Sequence, residues 1–270
     1  MPTDRPFRFF GVVHLPPLPG APRPSAGWSS VVDRALADAD ALVRGGVDGL
    51  IIENLGDAPF TRGPVEPHVT ACLAVIGDRI RLRHGEDLLV GLNVLRNDAR
   101  AALGAAVAAQ ADFIRVNVLS GASWTDQGLI EGEAHRLLRY RRELGVDPHD
   151  ASGRPVRIAA DICVKHGVPA GEGDLARQAH DTAGRGGADA LIVTGSATGR
   201  ATATVDLERA RRAAPQSPIW VGSGVTLDTA ADMRVRADAA IVGTALHRDG
   251  DLEAPVEVAR VRAMRAALGG

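Results

Sequence analysis

Short apolar runs along this chain break off, one after another, at a polar residue or a glycine, and most are followed by a stretch whose apolar positions recur at helical spacing. Phe7 to Leu15 reads as a strand ending at His14, ahead of Leu15-Pro16-Pro17-Leu18-Pro19-Gly20; prolines there predict a stiff loop. Ser30 with Asp33 has the form of a capping box, and behind it Val32, Ala35, Leu36, Ala39 and Val43 predict a helix stopped at Gly45-Gly46. Leu50-Ile51-Ile52 ends in Glu53-Asn54. Leu88 to Leu92 ends at Asn93, and Asn97 is placed to cap a helix with Ala99, Leu103, Ala106 and Val107 on one face. Phe113 to Val116 leads into Asn117, Val156 to Ala160 into Asp161, and Leu191 to Val193 into Thr194. Glu131 to Leu144, Leu175 to Ala183, Val205 to Ala214 and about Val256 to Leu268 read as helices. Two late runs, Ile219-Trp220-Val221 and Asp238 to Val242, break into Gly222-Ser223-Gly224 and Gly243-Thr244.

Strands alternating with helices across short joins predict a parallel sheet, and eight such units predict a closed (β/α)8 barrel occupying residues 1–270 as a single domain. A faint repeat agrees: Val47-Asp48, Ala111-Asp112, Ala188-Asp189 and Ala237-Asp238 each leave a helix and enter a strand, at the second, fourth, sixth and eighth strands. An open doubly wound sheet is the competing arrangement, but no Gly-x-Gly-x-x-Gly follows the first strand.

Composition narrows the function more than the fold. An apolar content of 45% supplies one continuous core, and a net charge of −2 with mixed signs gives no nucleic-acid footprint. Two cysteines, Cys72 and Cys163, no basic-then-apolar leader and no uncharged run of bilayer length predict a soluble cytoplasmic protein without an integral membrane segment. Homo-oligomerisation is left open. Lys165 is the only lysine in an arginine-rich chain, four residues past Asp161.

In a barrel of this kind function gathers at the carboxyl ends of the strands, and the site after the seventh and eighth strands takes phosphate. The expected phosphate site is therefore Gly222, Ser223, Gly224, Gly243 and Thr244, where glycine lets backbone amides approach an anion. Glu53 and Asp161 are expected to act as an acid/base pair whose mutual repulsion separates their proton affinities, with Lys165 binding a substrate anion or polarising a leaving oxygen. His14, Asn93, Asn117, His166, Thr194 and Ser196 complete the substrate-binding set. No cofactor is required on this reading, although His14, Glu53, Asp161 and His166 are compatible with a divalent metal. Ser120 to Gly128, with Trp124, and Gly195 to Arg200 are expected to be lids. The remaining histidines, His247 among them, fall in surface or capping positions, and Trp220 in a packing or interface position.

Several of these segments carry a resemblance. His14-Leu15-Pro16-Pro17-Leu18-Pro19-Gly20, Glu53-Asn54-Leu55-Gly56-Asp57-Ala58-Pro59-Phe60, Asn93-Val94-Leu95-Arg96-Asn97-Asp98 and Phe113-Ile114-Arg115-Val116-Asn117-Val118 resemble the BtpA/SgcQ family. Thr125-Asp126-Gln127-Gly128, Val164-Lys165-His166, Thr194-Gly195-Ser196 and Gly222-Ser223-Gly224-Val225 do so too, with Cys163 and Ala197 as departures. The resemblance implies a ribulose-phosphate-binding type of TIM barrel. Similar proteins are named for photosystem I accumulation in cyanobacteria, yet the family extends to organisms without photosynthesis. A weaker likeness to the tryptophan synthase α subunit covers Gly49 to Pro64 and implies an acid/base role for Glu53. The expectation is an enzyme acting on a sugar phosphate or nucleotide, as lyase, isomerase or glycosidic-bond hydrolase, with bond cleavage preferred. The alternative is a non-catalytic biogenesis factor using the barrel as a scaffold.

Overall fold

Parallel strands with side chains alternating between two buried faces need a helix layer outside and a filled interior, and the chain supplies both. The computed structural model describes residues 6–150, 152–162, 167–171, 173–194 and 204–270. Its strands are β1 (Arg8–His14), β2 (Gly49–Glu53), β3 (Leu89–Asn93), β4 (Phe113–Val116), β5 (Ala122–Thr125), β6 (Gly128–Glu131), β7 (Arg157–Asp161), β8 (Val168–Pro169), β9 (Ala190–Val193), β10 (Ile219–Val221) and β11 (Ala239–Val242). The closed barrel runs β1-β11-β10-β9-β7-β4-β3-β2, every pairing parallel, with β1 closing on β11. Around it lie α1 (Trp28–Gly45), α2 (Pro67–His84), α3 (Ala99–Ala108), α4 (Ala134–Glu143), α5 (Leu175–Gly184), α6 (Thr204–Ala213), α7 (Ala230–Arg236) and α8 (Val258–Ala267). The predicted (β/α)8 TIM barrel is the fold. No described helix is long and apolar enough to cross a membrane.

Two separate apolar clusters follow from strand alternation. One lies between strands and helices; the other, inside the barrel, contains Phe10, Val12, Ile51, Phe113, Ala159, Ile192 and Ile241. Its floor is a plug of three aromatic rings, with Phe10 4.8 Å from Trp220 and 5.3 Å from Phe113. Gly91 on the neighbouring strand makes room for it, since a Cβ there would collide with the Phe113 ring. Trp220 is thus interior packing, not an interface residue.

Local chemistry corrects several expected boundaries. Gly27, not a Ser30–Asp33 box, precedes α1 and no side chain caps it, whereas Gly46 closes the helix in the left-handed region at φ 95° as the Gly45-Gly46 stop predicts. Asp98 caps α3 by accepting from the Ala101 amide at 2.9 Å. Asn97 instead clasps Val118, accepting from its amide and donating to its carbonyl. Residues Gly128–Glu131 are strand, so α4 begins only at Ala134. The expected lid at Ser120 to Gly128 is an antiparallel hairpin, β5 with β6, which also pairs with β8.

The faint Asp repeat has a physical basis at the opposite end of the barrel from the strand termini. Each of the four carboxylates accepts from the backbone amide of a residue on the neighbouring strand and from an arginine of a surrounding helix. Asp48 takes Phe9 N and Arg265, Asp112 takes Val90 N and Arg81, Asp189 takes Ile158 N and Arg141, and Asp238 takes Ile219 N and Arg211, all at 2.6–2.9 Å. Four equivalent clamps therefore staple alternate strand pairs to the helix ring. Removing one acceptor strands a buried amide and a guanidinium together. Asp238→Ala is expected to cost about 3–5 kcal/mol, read as a lowered midpoint of urea unfolding, with ligand affinity of the folded fraction unchanged.

Candidate active site

Because side chains alternate, the interior face of each strand ends in one residue at the carboxyl rim. These are His14, Glu53, Asn93, Asn117, Asp161, Thr194, Gly222 and Gly243, each two places beyond an interior position such as Val12, Ile51 or Ile192. The register sets His14 beside Glu53 and Glu53 beside Asn93. Apolar layers fill the barrel below this ring, so the ring is the first place where polar groups from every strand meet.

Sequence reasoning missed the residue at the centre. Arg115, one step down from Asn117 on the interior face of β4, spans the two carboxylates: Nε and Nη2 donate to Asp161 at 3.1 and 3.0 Å, and Nη1 donates to Glu53 Oε1 at 3.2 Å. Burial works against its charge, but Asp161 and Glu53 together outweigh burial and hold its pKa above the ordinary arginine value. Glu53 and Asp161 therefore share a cation and do not face each other in bare repulsion, as expected from sequence. The signal was available, because an arginine in the otherwise apolar Phe113-Ile114-Arg115-Val116 has the parity of Asn117.

The two carboxylates are held differently. Asp161 also accepts from Asn117 Nδ2 at 2.9 Å and Thr194 Oγ1 at 2.7 Å, and its side chain is wholly inaccessible. Glu53 accepts through Oε1 from Arg115 and from Asn93 Nδ2, both at 3.2 Å. Asp161 is thus the anchor of the array. Asn117 spends its amide on Asp161 and keeps a buried Oδ1 with no hydrogen-bond partner among the described residues. A second guanidinium, Arg96, is buried nearby; burial lowers its pKa, and the carboxylates of Asp161, Asp126 and Glu53 only partly offset that. Asn54 sets the backbone that carries it, accepting from the Leu95 amide at 2.8 Å.

The proline-rich segment also has a defined seat. Leu15 N donates to Glu53 O and Gly56 N to Leu15 O, while Asp57 accepts from the Leu18 amide at 2.9 Å. A Cβ on Gly56 would collide with Pro17 backbone, so that glycine is what lets the stiff loop lie on the segment after β2.

The glycine turns differ from one another. The Gly222 amide is committed to Val193 O at 2.8 Å, and a Cβ at Gly222 would strike Thr194 Oγ1 and Ile192. Gly222 is therefore room for Thr194 rather than an anion donor. Gly224 adopts φ 74°, and among the described residues neither its amide nor that of Thr244 donates to a protein acceptor. Ser223 is half-buried beside them. Gly243 lies against the His14 ring, whose Cε1 would be 2.7 Å from a Cβ placed there. Gly222→Ala is expected to push Thr194 off Asp161 and cost about 1–3 kcal/mol, seen as a lower melting temperature.

Lys165, His166 and Ser196 lie outside the described residues, as do Cys163, Ala197 and the Gly195 to Arg200 segment. Among the described residues no three His, Cys, Asp or Glu side chains converge on a metal-sized centre, and the position between Glu53 and Asp161 is filled by Arg115. His247 corrects its expected surface position: it is fully buried, with Nε2 3.2 Å from His14 Nδ1.

A cavity of about 400 Å³ adjoins the rim at Asn117 and Asp161, walled by Ser120, Ser123, Pro169 and Gln178. A larger one, about 640 Å³, lies outside the barrel between α3, α4 and the hairpin and includes neither carboxylate. The smaller belongs to the site because it alone of the two reaches the Arg115 array.

The BtpA family profile matches residues 7–269. A photosystem I biogenesis protein BtpA of Synechocystis sp. is 44% identical, covering 96% of this chain and 86% of that protein. Among solved structures, KGPDC from Streptococcus mutans in complex with D-R5P superposes with a TM-score of 0.57 at 14% identity, covering 97% of each chain. Orotidine 5'-phosphate decarboxylase from Pyrococcus horikoshii gives 0.56 at 14%, covering 97% of this chain and 99% of that one. At such identities these two structures establish the barrel alone.

Proposed function

The chain belongs to the BtpA family, and from that premise and the rim geometry we propose that it is an enzyme acting on a phosphorylated small molecule, a sugar phosphate or nucleotide, by acid/base chemistry. The observation that carries the reading is the Glu53–Arg115–Asp161 array at the carboxyl ends of the strands, on the same rim as the turns at Gly224 and Thr244. The amides of those turns grip the phosphate. The body of the ligand extends toward the cavity at Asn117, where a ligand donor meets the buried Oδ1, which has no hydrogen-bond partner among the described residues.

Within this frame Glu53 moves the proton. Asp161 is held by three donor groups and serves to aim Arg115, and Glu53, at the other end of the array, is the group that exchanges the proton. Arg115 stays charged and stabilises negative charge developing on the substrate as a bond breaks. Lys165, placed by sequence near Asp161, binds substrate anion or a leaving oxygen. That structurally similar barrels include one in complex with D-R5P and an orotidine 5'-phosphate decarboxylase supports the ligand class.

A scaffold role is the second reading, favoured by the printed name of the Synechocystis relative. Glu53→Gln separates the two: loss of turnover with folding and phospho-ligand binding retained supports catalysis, and an unaltered activity or phenotype supports the scaffold.

A further inference from the structure

The cavity of about 400 Å³ at the carboxyl rim is walled by three elements: the end of β4 at Asn117, the paired β5 and β8 at Ser123 and Pro169, and the first turn of α5 at Gln178. Asn117 fixes its polarity. The residue is 5% exposed, and its Nδ2 donates to Asp161 Oδ2 at 2.9 Å. Turning the amide over would set its oxygen against that carboxylate, so Oδ1 stays where it is, a buried acceptor with no hydrogen-bond partner among the described residues. A ligand group that meets it has to bring a hydrogen. The charges around the cavity are already answered: Asp161 by Arg115, Asp174 by Arg209 at 3.3 Å, and Asp181 by Arg177 at 3.7 Å. What faces a ligand besides Asn117 is therefore neutral. It consists of the Ser123 hydroxyl and the Gln178 amide, neither of which is hydrogen-bonded through its side chain among the described residues.

We infer that this cavity takes a hydroxylated carbon skeleton, so that the ligand of the rim is a sugar phosphate and not a nucleotide. A hydroxyl gives its hydrogen to Asn117 Oδ1 and accepts one from Ser123 or Gln178, which matches a wall of one fixed acceptor and two neutral donors. A nucleobase needs a flat apolar face to stack on, and among the described residues no aromatic ring lines the cavity. Trp124 is the neighbour of Ser123, but alternation along β5 sends it to the opposite face of the hairpin, where it is 57% exposed. The volume lies near the lower end of the about 300–1,000 Å³ usual for small-molecule sites, which suits a single sugar. The choice of a sugar phosphate rests on the proposed phosphate site; binding of a polyol in the cavity does not.

The test is calorimetric titration of the full chain with ribose 5-phosphate, adenosine 5'-phosphate, pentyl phosphate, inorganic phosphate and ribitol, the last a polyol without phosphate. Ribose 5-phosphate is expected to bind about 10- to 100-fold tighter than pentyl phosphate, which carries the same charge but brings no hydrogen to Asn117 Oδ1. It is also expected to bind tighter than adenosine 5'-phosphate, whose base has no seat. Ser123→Ala and Gln178→Met alter the cavity wall and not the glycine turns. Each should weaken ribose 5-phosphate by about 3- to 10-fold and leave inorganic phosphate as it was. Pentyl phosphate or adenosine 5'-phosphate binding as tightly as ribose 5-phosphate overturns the inference, and so does a ribose 5-phosphate affinity that neither substitution changes. Either result leaves the phosphate site standing. Ribitol binding that weakens in Ser123→Ala, with no response to inorganic phosphate and no gain of ribose 5-phosphate over ribitol, supports the polyol cavity and counts against the phosphate site. Silence from every member of the panel overturns both.

Discussion

Arg115→Met is expected to lower stability by about 3–5 kcal/mol at neutral pH, because it leaves two carboxylates buried together without their shared cation. Asp161 would lose two of its hydrogen bonds and Glu53 the one that Arg115 donates to Oε1. The methionine fills most of the volume, so the deficit is electrostatic more than steric. It should shrink as the pH is lowered, since a proton on either carboxylate then removes the bare repulsion. Urea unfolding of both proteins at pH 7 and pH 5 measures it. A loss that is the same at both pH values would mean packing, not charge, is what Arg115 supplies. Arg115→Lys keeps the charge but cannot span both partners, and should fall between the two.

The second large effect is on turnover. Glu53→Gln is nearly isosteric and keeps an oxygen for Asn93 and Arg115, yet it cannot take a proton. It should lower kcat by about 10²–10⁴-fold with little change in melting temperature. The same substitution at Asp161 should behave differently: Asp161→Asn replaces an acceptor of three donor groups with an amide, so it should lose stability as well as rate. Equal rate losses without destabilisation in both variants would assign the proton-transfer role to the pair instead of to Glu53. The activity to be followed is turnover of whichever phosphorylated compound stabilises the protein.

How much of this was legible beforehand follows from the physics of each feature. Strand ends were readable because an apolar run stopping at His14, Glu53, Asn93, Asp161 or Thr194 marks the point where a barrel interior meets solvent. All eight rim positions, glycines included, were named from that pattern. Arg115 was missed because it lies one interior step below the end, where only parity along β4 distinguishes it from a surface arginine. His247 was missed for another reason: it lies past the last strand in a stretch with no periodicity, and the ring it meets, His14, is 233 residues earlier. Gly222 shows the limit of reading glycine turns as anion sites, since its missing side chain makes room for Thr194 and its amide is spent on Val193. The hairpin at β5 and β6 was hidden because its small residues and short alternation look like loop until β8 is known to pair with it. By contrast the Asp repeat was visible as a pattern, and only the coordinates supplied its cause in the arginine clamps.

The central claim is that the rim holds a dianion and aims the rest of a molecule at Glu53 and Arg115. Thermal melting of the full chain with a panel of sugar phosphates and nucleotides, each beside its dephosphorylated counterpart, tests it most directly. A ligand at a hundred times its Kd adds about 2.7 kcal/mol, which for a protein of this size raises Tm by roughly 5 °C. The account predicts such a rise for at least one phosphorylated compound and none for the same compound without its phosphate. Equal responses from both members of every pair, or no response from any phosphorylated member, would contradict it.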